Sequence, residues 1–278
     1  MHGGTGATAL HVIEPSTGHV AWNVRELWTY RELLGFLVWR DVKVRYKQTV
    51  LGAAWAVLQP LTSMAVFSLL FGHWAKMPSD GVPYPLFAFA GLIPWTFVSN
   101  AVASAANSLV GNTHLISKVY FPRLLISLSS IGAALVDFGI SLLILAGMIA
   151  VYGTPVTWRL LGIVPLIVLA VVISIAVGSV LGAMCAVYRD VRYVVPFPMQ
   201  FWMFASPIIY PVALIPDEWR WVAFLNPVVG LVDGFRSAAL GLPFAWSSIG
   251  AASVIATLSL IAGISYFRRI ERRVVDLV

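Results

Sequence analysis

Charged residues interrupt this chain rarely, and the intervals between them set the expected architecture. Runs free of Asp, Glu, Lys and Arg cover 48–75, 81–117, 138–158, 160–188, 193–216 and 237–267. Each is long enough for the roughly 20 apolar residues that a helix needs to cross a bilayer. The pattern predicts an all-α integral membrane protein with six transmembrane helices, at about 52–72, 85–108, 124–151, 160–187, 193–212 and 247–267. Pro60 falls inside the first and is expected to kink it. The fifth holds Pro196, Pro198, Pro207 and Pro211 and is expected to be one distorted span. Residues 221–235 are apolar, too short to cross and bounded by charges. They predict short re-entrant or interfacial helices before the last span, tolerated at membrane depth only where protein shields the backbone. A run of small residues, Ala101 to Ala106, would let a second helix backbone come close.

The first 22 residues show no basic segment followed by an apolar run and are expected to form a flexible cytoplasmic tail. Residues 23–47 mix charge with Trp28, Leu33, Leu34, Phe36, Leu37 and Trp39, the composition of an amphipathic helix along a membrane interface. Four basic residues and one acid crowd 40–47, immediately before the first uncharged run. The six-span domain is expected over 48–267, and a basic C-terminal segment over 268–278.

Composition supports this division. The 278 residues are 59% hydrophobic and 11% charged, with a mean hydropathy of +0.87; soluble domains carry about a quarter charged residues. The net charge of +6 is explained by placement rather than by nucleic acid. Six Lys and Arg precede the first run, two lie in 109–123, two in 188–192 and four at the C-terminus, so 14 fall on one side of a six-span topology. Four (Lys76, Arg159, Arg220 and Arg236) fall on the other. That bias predicts both termini in the cytoplasm.

The sequence contains no G-x-x-x-x-G-K-[ST] phosphate loop. Its five histidines form no ligand-spaced cluster, and its one cysteine, Cys185, excludes an internal disulfide. No catalytic residue, metal ligand or bound cofactor is expected, which points to transport rather than membrane enzymology. Asp137 is the one carboxylate at the centre of a predicted span. It fits either a structural bond to a neighbouring hydroxyl, amide or interfacial arginine, or a proton-coupled carrier.

Two short connections, 111–123 and 187–196, combine cations with aromatics and stop at prolines. Anchoring by positive charge and docking of a soluble, energy-supplying partner both suit them. On the outer side and in the fifth region, Trp95, Phe201, Trp202, Phe204 and Tyr210 are candidates to line a channel, with the membrane aromatic belt and plain packing as the alternatives.

Four blocks, RDVKVRYKQTVLGAAWAVLQPL (40–61), LFAFAGLIPWTFVSNAVASAANSLVGNTHLISKVYFPR (86–123), AVYRDVRYVVPF (186–197) and SPIIYPVALIPDEWRWVAFLNPVVGLVDGFR (206–236), closely resemble the permease subunits of type-2 ABC exporters of bacterial surface polysaccharides. Those include O-antigen, teichoic acid and some capsule exporters. The resemblance implies a type-2 ABC exporter fold and a homodimer in the bacterial inner membrane. It also implies two copies of a separate ATPase that binds ATP and Mg2+. The implied substrate is a glycan linked to undecaprenyl diphosphate, with a smaller lipid or drug as the rival. It assigns ATPase coupling to Asn112, His114, Lys118, Val119, Tyr120, Arg189, Asp190 and Arg192. Arg40, Lys43, Arg45 and Lys47 become candidates to attract the diphosphate headgroup at a gate. No nucleic acid is an expected partner.

Overall fold

A computed structural model describes residues 28–47, 52–116, 118, 121–188 and 190–275. Eleven α-helices of the described chain suffice to place the site: α1 (Arg31–Lys47), α2 (Gly52–Phe67), α3 (Tyr84–Gly111), α4 (Thr113–Ile116), α5 (Leu124–Val151), α6 (Ile163–Val187), α7 (Val191–Val194), α8 (Pro196–Phe204), α9 (Asp217–Phe224), α10 (Pro227–Leu240) and α11 (Trp246–Val275).

Among the described residues, four helical segments are long and apolar enough to cross a membrane: Tyr84–Gly111, Leu124–Val151, Trp158–Val187 and Trp246–Glu271. This corrects the expectation of six. The expected first span is a 16-residue α-helix carrying Pro60. It then widens into seven π-helical residues, Ser68–Trp74. The expected fifth span breaks into the four-residue α7, the nine-residue α8 and an irregular stretch from Ala205 to Pro211. Proline explains that break. It has no N–H to give, so the backbone ladder is interrupted at Pro196 and again at Pro207. A long uncharged run therefore does not by itself guarantee a long apolar helix.

α3 is the centre of the bundle. It packs against α2, α5, α6 and α10, and 78% of its apolar window is buried, against 28–33% for the other three long helices. Small residues permit this. A side-chain carbon on Gly178 would lie 2.9 Å from the Ala105 methyl, and one on Gly182 would lie 3.2 Å from the Ala105 carbonyl. The pair is four residues apart on α6 and meets the Ala101–Ala106 face of α3, so the two backbones can approach. Larger side chains fill the other side, where Phe97 stacks on Phe138 and Phe138 meets Phe235 edge-on.

The two ends of the bundle differ in chemistry. At one, Leu37 of α1 joins Leu109, Phe121, Leu124, Leu125, Ile126 and Phe267 in an apolar cluster. The Arg123 amide donates to Glu271 of α11 there, at 3.3 Å. The cations Arg40, Lys43, Lys118, Arg192, Arg268 and Arg269 belong to the segments around this end. At the other end the charges are fewer, and two of the arginines are partnered. Arg159 donates to the Gly241 carbonyl, at the left-handed residue (φ 71) that closes α10. Arg220 pairs with Asp217 at 2.7 Å.

Candidate functional site

The charged face of α1 is divided by what it touches. Arg40 grips Asp41 through Nε (3.0 Å) and Nη2 (2.8 Å). The same Nη2 donates to Asn112 Oδ1 at 3.0 Å, while Ser129 of α5 donates to the other Asp41 oxygen at 2.8 Å. One network thus ties α1 to the end of α3 and the start of α5. It also joins a predicted headgroup residue, Arg40, to a predicted coupling residue, Asn112. Arg45 and Tyr46 turn instead to Asp137, which accepts a hydrogen bond from each. Asp137 therefore bonds to an arginine and a phenol of α1, and the cost of a charge at a helix centre, about 3 kcal/mol if unpaired, is offset by the pairing. Lys43 and Lys47 point outward, Lys43 resting 4.4 Å from the centre of the Trp39 ring.

A cavity of about 170 Å³ opens beside the Arg45–Asp137 pair, roomy enough to hold water. Its polar lining comes from four helices: Arg45, Gln59, Thr96, Asn100, Asp137 and Ser141. The sequence leaves an interfacial arginine open as a partner of Asp137, but nothing in it points to Arg45. Their separation of 92 positions hides the contact, which depends on how α1 crosses α5.

The remaining predicted coupling residues are surface features where they are described. His114, Lys118, Asp190 and Arg192 are exposed, and Arg192 donates to Tyr193 Oη at 2.6 Å. Val119, Tyr120 and Arg189 lie outside the described residues. Among the channel candidates, Trp95 is buried and packs edge-on against Trp202, with ring centres 5.7 Å apart. Trp202 donates to Asn226 Oδ1 at 2.8 Å. Asn226 also caps α10 at Val228 and donates to Ser206 Oγ. Phe201 and Phe204 are exposed, Phe201 stacking on Phe197 at 4.6 Å. Tyr210 is half-buried.

A further residue, counted in the sequence only as one of four charges on the less basic side, proves to be a structural centre. Arg236 is 3% exposed. It donates to the carbonyls of Pro207 (2.7 Å), Ile208, Tyr210 (3.3 Å) and Phe87 (3.3 Å). Its guanidinium also lies 3.7 Å from the centre of the Phe87 ring. Tyr84 Oη donates to the Ile209 carbonyl at 2.8 Å. The helix break after α8 leaves the carbonyls from Pro207 to Tyr210 outside any helix, and Arg236 and Tyr84 supply donors to them. The signal was present in the sequence: Arg236 follows Asp233 by three residues inside an otherwise apolar stretch.

Residues 32–240 match the family described as ABC-2 type transporter, about three quarters of the chain. The chain belongs to that family. Curated relatives agree with the assignment over most of their own lengths. The "O-antigen export system permease protein RfbA" of Myxococcus xanthus is 32% identical over 77% of this chain and 82% of its own. A Klebsiella pneumoniae protein of the same name is 23% identical over 89% and 95%. The "Polysialic acid transport protein KpsM" of Escherichia coli is 21% identical over 84% and 91%. This ABC-2 type permease is a multi-pass membrane protein, and among the described residues no group of three or more His, Cys, Asp or Glu side chains is placed to hold a metal ion.

Proposed function

We propose that this ABC-2 permease exports a lipid-linked surface polysaccharide, of the undecaprenyl diphosphate type, across the bacterial inner membrane. The observation that supports the reading is the set of relatives matched over more than four fifths of their own lengths: O-antigen export permeases and a polysialic acid transport protein. The permease works as a homodimer with two copies of a separate ATPase, which holds ATP and Mg2+. Both termini face the cytoplasm, because ten of the 18 Lys and Arg lie in the two terminal segments 23–47 and 268–278. α1 lies along the cytoplasmic interface: Phe36, Trp39 and Val44 are exposed beside Lys43 and Lys47, the mixture that suits a headgroup layer.

In this reading the glycan undergoes no covalent change. The outward lysines of α1 attract the diphosphate headgroup to the cytoplasmic rim, and Arg40 and Arg45 hold α1 against the bundle. Coupling runs through the segment from Asn112 to Tyr120 and the segment beginning at Arg189, where ATP-driven closure of the partner subunits biases one access state over the other. The Arg40–Asn112 bond supports that route, since it ties the coupling segment to the headgroup helix.

Isolation of the native complex and deletion of the gene test the proposal together. The expected result is co-purification of an ATP-binding subunit and loss of polymer from the cell surface, with lipid-linked glycan retained inside. Surface glycan at wild-type level in the deletion strain would overturn the reading, as would purification of the chain without an ATPase.

A further inference from the structure

Most of α3 faces protein, but one line of its surface is open. Thr96, Asn100, Ser104 and Asn107 recur every three or four residues and so share a helical face. Each is half-buried or exposed, whereas Phe97, Ala101 and Ala105 between them are buried. The line begins at the Arg45–Asp137 cavity, near the middle of the helix, and descends toward Gly111 at the basic end. Across the cavity Gln59 of α2 adds a second exposed amide. Neither Gln59, Thr96 nor Asn100 makes a side-chain hydrogen bond to another described residue.

Hydrocarbon is a poor neighbour for such a face. Moving one amide from water to an environment without hydrogen bonds costs about 4–8 kcal/mol, and two amides and two hydroxyls stand here without side-chain partners or with local ones only. The groups that meet them must donate and accept hydrogen bonds. Charge narrows the choice further, because the cavity's cation, Arg45, is already neutralised by Asp137. Nothing in the lining selects a phosphate. Amides and hydroxyls, each both donor and acceptor, match the hydroxyls of a sugar.

We propose that the Thr96–Asn100–Ser104–Asn107 face of α3, with Gln59 opposite, lines a water-filled track that takes the hydroxyl-bearing sugar residues of the transported polymer. Water fills the track at rest and sugar hydroxyls replace it one ring at a time, so the hydrogen bonding of the amides is kept throughout. Exchange of weak, equivalent bonds suits a repeating polymer that must keep moving. This deepens the export reading and rests on it for the identity of the occupant.

The test uses single cysteines in the full complex, in membranes, with the buried Cys185 replaced by alanine. Asn100→Cys, Ser104→Cys and Asn107→Cys are treated with a membrane-impermeant methanethiosulfonate. Leu143→Cys and Val168→Cys, at exposed apolar positions of α5 and α6, serve as comparisons. Because the thiolate is the reacting form, only hydrated cysteines react quickly. The track cysteines are expected to react about ten-fold faster than the comparisons. In membranes that contain the lipid-linked polymer, the rate at Asn100→Cys is expected to fall several-fold relative to membranes from a strain unable to make it. Slow reaction at all three positions, whether lipid or a second copy of the chain covers them, overturns the track. Fast reaction without polymer protection, in a strain whose export depends on this gene, overturns the sugar contact while leaving the export reading intact. If export itself does not depend on the gene, the proposed function fails instead, and fast reaction then attests only to a hydrated face. Three neighbouring positions are read, so one variant that fails to insert does not decide the result.

Discussion

Arg236→Met removes the guanidinium from the interior while keeping a side chain of similar length. Four carbonyls lose a donor, but the two longer contacts, at 3.3 Å, contribute little. The bonds to Pro207 and Ile208 carry the effect. Hydrogen bonds involving a charged group contribute about 1.5–3 kcal/mol each, so their loss alone costs roughly 3–6 kcal/mol. Removing a desolvated charge returns part of that, and Asp233, one turn earlier on α10, loses a neighbouring positive charge. The net loss is about 3 kcal/mol, which for a chain of this size corresponds to a melting temperature lowered by about 6–12 °C. Arg236→Lys keeps the charge but replaces a planar fork by a point donor, and should lose about half as much. Thermal unfolding of the purified complex in detergent measures both. Hydrogen exchange adds a local readout, since the amides around Ala205–Tyr210 should exchange faster once their carbonyl anchor is gone. A methionine variant melting within about 2 °C of the parent, with unchanged exchange in that segment, would refute the argument that Arg236 holds the helix break together.

Other substitutions probe separate parts of the structure. Gly91→Ala places a methyl against the Arg236 guanidinium and the Ile208 carbonyl, so it should destabilise by about 1–3 kcal/mol; a neutral melting temperature would show that the clasp can shift. Gly182→Leu drives a side chain into the Ala105 backbone and should block folding of the α3–α6 seam, read as loss of inserted protein. Asp137→Asn should lower stability by only about 1 kcal/mol, because both partners of the ion pair remain partly solvated. Export should survive that substitution, and abolition of export with normal assembly would instead support a proton-coupled role. Lys43→Glu together with Lys47→Glu should depress glycan export while leaving copurification of the ATPase unchanged; transport at the parental rate would remove these lysines from headgroup attraction.

Apolarity and charge placement along the chain were sufficient for several conclusions. They established an all-α membrane protein, the positions of four long apolar helices and the concentration of cations toward one end. These are properties of composition over windows of about twenty residues, and no long-range contact alters them. The small-residue run Ala101–Ala106 was legible for the same reason, because close backbone approach needs small side chains wherever the partner comes from. The six-span count was not determined in this way. Hydropathy measures the solubility of a segment in lipid and is blind to whether its backbone can stay helical. In 193–212 the prolines, and in 52–74 the passage into a π-helix, gave shorter pieces.

What only the tertiary structure decided is where each rare polar group finds its partner. Asp137 looked isolated in sequence because Arg45 and Tyr46 are about ninety positions away. Arg236 looked like one more rim charge because the carbonyls that need it exist only after the helix breaks at Ala205 and folds back over Phe87. The polar face of α3 could be written down from spacing, yet its meaning came from the burial of every other face of that helix. In an apolar chain a hydrogen-bonding group is too costly to leave unmatched, so sequence shows that each such group needs a partner. Packing chooses which one, because the partner must arrive from another helix at hydrogen-bonding distance.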